Sequence, residues 1–142
     1  MDEKTRTDFF NRVAEESYAK KLGLRLVDVN DGYAVVEMAL TEETENIFGM
    51  PHGGAIFSVI DEAFEVSSNS HGTIALGLNM SVTYHQSPEG RTTLRAVSKE
   101  IHRTRKTATY DISVTDEKNN LIASCTALVY RKKDKVPFLQ AE

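Results

Sequence analysis

One stretch limits the fold of this chain more than any other. From Asn46 to Gly72 it reads NIFGMPHGGAIFSVIDEAFEVSSNSHG. On a wheel at about 100° per residue, Ile56, Phe57, Val59, Ile60, Ala63, Phe64, Val66 and Ser67 cover roughly half of the circumference. A helix that apolar, over about residues 53 to 69, has to lie deep against a second layer.

The rest of the chain offers strands to build that layer. In TIALGLNMSVTYH the apolar residues fall at Ile74, Leu76, Leu78, Met80, Val82 and Tyr84, a period of two with one apolar face. RTTLRAVSKEIHR reads as a longer strand whose apolar parity shifts between Ala96 and Val97, as at a bulge. KTATYDISV alternates through Ala108, Tyr110, Ile112 and Val114, and LIASCTALVYRK forms the last strand. Upstream, LRLVDV and YAVVEMAL are joined by NDG, a hairpin signal, and TEETEN is a solvated loop. A first helix is expected over about residues 8 to 22. Thr7 or Asp8 would cap it, Phe9, Phe10, Val13 and Tyr18 would supply its contacts, and Gly23 would stop it. The tail KDKVPFLQAE carries no pattern. No linker or repeat divides the 142 residues, so the chain reads as one α+β domain, a long antiparallel sheet with a helix packed on its face.

Composition removes several classes of function. The formal charge of −4 argues against nucleic acid as a partner. No apolar run approaches the roughly 20 residues of a membrane span, and MDEKTRTDFF lacks the apolar core of a secretory signal. Cys125 is the single cysteine, which rules out an intrachain disulfide or a multi-cysteine zinc site. A cytoplasmic, metal-independent domain is expected.

Two features of the long helix raise a chemical question. Its entrance carries Gly53 and Gly54 after His52, and Asp61 sits at the rim of the apolar arc beside Phe57 and Ser68, with Glu65 one turn on. Asp61, Glu62, Glu65 and Ser58 read most simply as a solvated face. The glycines serve either tight packing or the approach of a ligand to bare N–H groups at the positive end of the helix dipole. His52 reads as a local backbone partner or as a base. A donor for a developing oxyanion with a carboxylate on the same element is what acyl-transfer hydrolysis needs.

Asn46, Gly49, His52, Gly53, Gly54, Phe57 and Asp61, ending in NSHG at Gly72, closely resemble the pattern of PaaI-like hotdog-fold acyl-CoA thioesterases. LNMSVTYHQSPEG and HRTRKTATYDISV are similar to that family's later strands, so the resemblance spans about residues 46 to 130. It implies a hotdog fold, a long antiparallel sheet wrapped around a central helix. It also implies hydrolysis of an acyl- or aryl-acyl-CoA with no cofactor beyond the coenzyme A of the substrate. Asp61 is similar to the family's catalytic carboxylate, Gly53 to the glycine whose N–H polarises the thioester carbonyl, and Asn46 and His52 to its helpers. Gly54 and Tyr84 would lie beside the substrate, with Arg103, Arg105 and Lys106, and Arg131, Lys132 and Lys133 on the last strand, available to meet the coenzyme A phosphates. A homodimer or dimer of dimers is implied, with each site shared between two subunits. Gly77 and Arg105 depart from the pattern, standing where many members carry Ser or Thr and Gly respectively.

The chemistry of the residues is consistent with this. A thiolate leaving group, of pKa about 8.5 if like that of cysteine, departs without a strong general acid. One carboxylate and one oxyanion donor can then suffice, with Asp61 as base or as nucleophile. The rival readings are a non-catalytic acyl-CoA sensor on the same fold and a hotdog dehydratase or hydratase drawing on His71, His85 or His102.

Overall fold

The computed structural model describes residues 1–139. Two short helices, α1 (Glu3–Glu15) and α2 (Ser17–Leu22), precede a hairpin of β1 (Leu24–Asn30) and β2 (Tyr33–Ala39). The long helix α3 (Gly53–Asn69) follows, then β3 (Thr73–Tyr84), β4 (Thr93–Arg103), β5 (Thr107–Thr115) and β6 (Leu121–Lys135). Single 3-10 turns lie at Glu42–Thr44 and Pro137–Leu139.

The six strands form one antiparallel sheet in the order β1-β2-β4-β5-β6-β3. α3 touches all six, so the sheet wraps around it as the resemblance implies. Val59, Ile60 and Ala63 are sealed into a core shared with Leu94, Ala96, Ile112 and Val129. Phe64 meets Tyr110 edge-on at 5.7 Å between ring centres. No helix among the described residues is long and apolar enough to cross a membrane.

The structure corrects four expectations. The first helix starts at Glu3, not near residue 8, because the Asp2 side chain accepts from the Thr5 N–H at 2.7 Å and caps it. It then breaks at Glu16, whose extended backbone (ψ 122°) starts α2 in a new direction. That turn carries the Tyr18 hydroxyl to the Ser58 Oγ at 2.8 Å and buries Ala19.

The bulge expected between Ala96 and Val97 does not exist; register is regular there, and the shift falls between Glu100 and His102. Leu94, Ala96 and Ser98 are all fully buried. The alternation looked broken only because Ser98 is a polar residue in the core, where its Oγ lies 2.7 Å from that of Ser67.

In β3 the apolar pattern is misleading in the opposite sense. A bulge between Gly77 and Asn79 reverses its parity. Met80 and Val82, opposite buried Ala127 and Cys125, share the face of Gly77, while Leu76 pairs with Tyr130 and both are exposed. Finally, Ser58 and Glu62, expected in solvent, are 5% and 3% exposed. α1 and α2 cover the face of α3 that periodicity alone assigns to water. The tail, which carries no sequence pattern, continues β6 to Lys135 and closes on α1 through an edge-on contact of Phe9 and Phe138.

The hairpin turn ties the sheet to the far end of α3. Gly32 has φ +66° and donates its N–H to the Ser70 Oγ at 2.7 Å. A Cβ on Gly32 would lie 2.8 Å from the Glu100 Cβ. A Gly32→Ala protein is therefore expected to lose more than about 1 kcal/mol of stability from backbone strain and collision together. Thermal denaturation would register this as a fall of several degrees.

Candidate active site

The entrance to α3 is built by a small loop. The His52 N–H donates to the Thr44 carbonyl at 2.8 Å, and Glu45 and Pro51 form a β-bridge. Between them the Asn46 Oδ1 accepts from the N–H groups of Phe48 (2.9 Å) and Met50 (3.1 Å), which folds residues 46 to 50 back on themselves. Gly49 takes a left-handed φ of +69° in that turn.

A helix begins with four N–H groups that lack intrahelical acceptors. In α3 the first of them, on His52, donates to Thr44, and His52 itself satisfies two more and starts the i−4 ladder at Ile56. Its Nδ1 accepts from Gly54 at 2.7 Å, and its carbonyl accepts from Ala55 and Ile56 at 3.0 and 3.2 Å. Because Nδ1 accepts, the ring proton of the neutral imidazole resides on Nε2. The remaining donor, the Gly53 N–H, has no acceptor among the described residues. It stands at the positive end of a 17-residue helix.

The two glycines have separate reasons. A Cβ on Gly54 would lie 3.0 Å from the His52 Nδ1, so Gly54 is bare to admit the capping ring. The nearest neighbours of a Cβ on Gly53 would be atoms of Tyr84, at an ordinary 3.7 Å. The Gly53 backbone is not left-handed either. Packing within the chain therefore does not require glycine at 53. Tyr84 steadies this corner by donating its hydroxyl to the Gly53 carbonyl at 3.1 Å.

Asp61 lies eight residues along α3, exposed, on the same stripe as Phe57 and Glu65. Partial burial, and then the negative charge of Glu16, raise its pKa above the usual Asp value. At 1.5 Å per residue it is about 12 Å along the axis from Gly53. Asp61 and Gly53 of one chain cannot bracket a single carbonyl.

The basic residues collect at the other end of α3. Arg103, Arg131, Lys135 and Lys4 line an open cleft of about 790 Å³ beside His71 and Gly72. Arg131 is fixed by donating to the Thr104 carbonyl at 2.8 Å, and Arg103 lies 3.6 Å from the Glu100 Oε1. Of the six cations singled out in the sequence, the cleft includes Arg103 and Arg131, while Lys132 and Lys133 do not line it. Arg105 and Lys106 sit outside it on the exposed β4–β5 turn. Sequence reading missed Lys4 and Lys135, which reach the cleft from opposite ends of the chain. Gly77 faces α3 with 3.4 Å between its Cβ position and the Phe64 ring, and contributes no hydroxyl. His71 pairs with Glu100, and His85 lies 2.8 Å from the Ser124 Oγ, so both are occupied in structural contacts.

Residues 48–123 match the thioesterase superfamily. This chain belongs to that family. A protein of Archaeoglobus fulgidus whose name places it among the esterases is 40% identical over 116 residues, covering 82% of this chain and 75% of its own. Acyl-coenzyme A thioesterase PaaI of Escherichia coli is 30% identical over 108 residues, covering 76% of this chain and 77% of its own. The solved structure of the E. coli PaaI protein superposes with a TM-score of 0.87 at 26% identity over 93% of this chain and 96% of that one. The fold is thus the hotdog fold of the PaaI-like thioesterases, and the activity is that of a thioester hydrolase.

The contrast between the glycines is open to a direct check by melting. Gly53→Ala is expected to melt no lower than the wild type. Gly54→Ala, which crowds the His52 cap worth about 1 kcal/mol, should melt several degrees lower.

Proposed function

We propose that this thioesterase hydrolyses an acyl- or aryl-acyl-CoA in sites shared between two copies of the chain. The observation that carries the reading is the unpartnered N–H of Gly53, a bare donor at a helix start that packing does not demand. In this reading the thioester oxygen accepts from that N–H, and negative charge developing on it is stabilised by a fixed donor at the positive end of α3. His52 presents Nε2–H at the same entrance, and Asn46 holds the loop that positions both.

The carboxylate comes from the second copy. The separation of about 12 Å within one chain supports this, because proton transfer needs contact at about 3 Å. β3 supports it too. It is an edge strand of 12 residues without a charge or a proline, so beyond its two bulges, near the start and middle of the strand, nothing on it discourages pairing with another edge. Antiparallel pairing of β3 across a two-fold axis would run the two α3 helices in opposite directions. Asp61 of each would then be carried toward Gly53 of the other. Asp61 takes a proton from water as it attacks the carbonyl carbon, or attacks that carbon itself to form an anhydride that water then opens. Either way the C–S bond breaks and the electron pair leaves on sulfur. A raised pKa makes Asp61 a stronger base near neutral pH.

The cleft of Arg103, Arg131 and Lys135 is suited to the phosphates of coenzyme A, with Arg105 and Lys106 at its margin. A Streptococcus mutans protein solved with acetyl CoA bound has the same fold, with a TM-score of 0.75 at 26% identity over 80% of this chain and 91% of that one, which supports such a ligand. None of these steps calls on a cofactor. The lone buried thiol of Cys125 suits a reducing cytoplasm.

Asp61→Asn should lower turnover of an acyl-CoA by at least about a hundredfold while the protein stays folded. Asp61 works as the carboxylate, so activity falls as pH drops through its pKa. Because that pKa is raised, the acid limb of kcat/KM should lie above the ordinary Asp value of about 3.9. Removing the neighbouring charge with Glu16→Gln should move the limb to lower pH. Near wild-type turnover of a folded Asp61→Asn protein would exclude the role.

A further inference from the structure

The helical face that periodicity assigns to solvent contains a buried acid. Glu62 is 3% exposed, and its Oε1 meets neither solvent nor a hydrogen-bond donor among the described residues. It faces the break between α1 and α2. There, carboxylate oxygens of Glu16, Glu62 and Glu65 lie within 4.8 Å of one another. Among the described residues none of the three forms an ion pair. Arg12 stands on the wall of the same groove without reaching them, and Asp61 adds a further negative charge to Glu62 and Glu65. If packing alone mattered at position 62, an apolar or amide side chain would be less costly than an acid.

We propose that Glu16, Glu62 and Glu65 bind a divalent cation of the size of calcium, which clamps the α1–α2 corner onto α3. Three carboxylates are a hard, oxygen-only donor set that prefers calcium or magnesium to zinc or copper. With Ca–O distances of 2.3–2.6 Å, ligand oxygens can stand up to about 5 Å apart, whereas magnesium holds them within about 4.2 Å. The three oxygens lie within calcium's limit, and magnesium, which demands a near-ideal octahedron and dehydrates reluctantly, suits an all-protein carboxylate set less well. Entry is available because Glu65 is exposed and, with Glu16, lines an open groove of about 360 Å³ between α1 and α3. Water from that groove completes the shell. The cation would meet the need of the Glu62 oxygen that no donor among the described residues supplies. Glu16 also raises the pKa of Asp61, so the test of this site reads metal binding and melting rather than turnover.

The test uses the full chain, stripped of metal with a chelator and dialysed. It is titrated calorimetrically with calcium chloride and with magnesium chloride, and melted in the presence and absence of each. Calcium is expected to bind once per chain, to raise the melting midpoint by several degrees, and to do so at lower concentration than magnesium. Glu62→Gln and Glu16→Gln should each weaken calcium binding at least about tenfold, the low end even for residues that only support a metal ligand. Glu42→Gln, at an exposed acid on a distant turn, should leave it unchanged. If Glu62→Gln fails to fold, Glu16→Gln at the half-exposed helix junction decides the matter alone. An absence of binding and of any melting shift in the wild type would overturn the proposal and leave protons shared among the carboxyls. So would a calcium shift that survives both substitutions, or one that magnesium produces at lower concentration.

Discussion

The buried helix α3 begins at the rim of the sheet, and the site follows from how its first N–H groups are satisfied there. His52 takes Gly54 on its ring and Ala55 and Ile56 on its carbonyl. Gly53 is left over. His52 in turn is held by the Thr44 carbonyl, and Thr44 by the reciprocal hydrogen bonds it shares with Thr41. The donor at Gly53 is therefore fixed by a chain of contacts reaching back into the loop after β2. A donor fixed in advance costs no reorganisation when charge develops against it.

Much of this fold is legible in the sequence where one face of a strand is buried and the other wet. β5 is such a strand, and Ala108, Tyr110, Ile112 and Val114 announce it. Legibility fails where a buried residue is polar or an exposed one apolar. Ser98 looks like a break in β4 because its partner, Ser67, lies 31 residues away. Leu76 and Leu78 look like core because the period of two runs unbroken through them, and Gly77 between them is the one sign of the bulge that turns β3 over. Glu62 looks solvated because the helices that cover it come from the start of the chain. At the site, the pattern around His52 and Gly53 was readable as a motif. The separate duties of Gly53 and Gly54 needed coordinates, since one ring nitrogen decides them.

Charge is sorted along α3 in a way that net charge conceals. Asp61, Glu62 and Glu65 lie along its middle, and the cleft of Arg103, Arg131 and Lys135 lies past its end. The cleft is about 24 Å from the Gly53 N–H of the same chain, the length of 17 helical residues. Under antiparallel pairing through β3, one chain's cleft would approach the other chain's Gly53. An extended ligand with a reactive thioester at one end and phosphates at the other suits that spacing. The pairing proposed to bring Asp61 to a second Gly53 would thus also account for where the cations lie.

The shared site is the central claim, and subunit mixing tests it most directly. Asp61→Asn removes the carboxylate and Gly53→Ala sets a methyl group beside the N–H that the thioester must approach, so each protein should be nearly inactive alone. The two are unfolded together, refolded as a mixture and assayed with an acyl-CoA. In a mixed dimer one site combines the intact Asp61 of one chain with the intact Gly53 of the other. Random pairing makes half of the dimers mixed, with one working site of two, so activity should recover to about a quarter of the wild-type value. Activity that stays at the sum of the two separate variants, in a sample where mixed dimers are demonstrated, would contradict the account and return the whole site to a single chain.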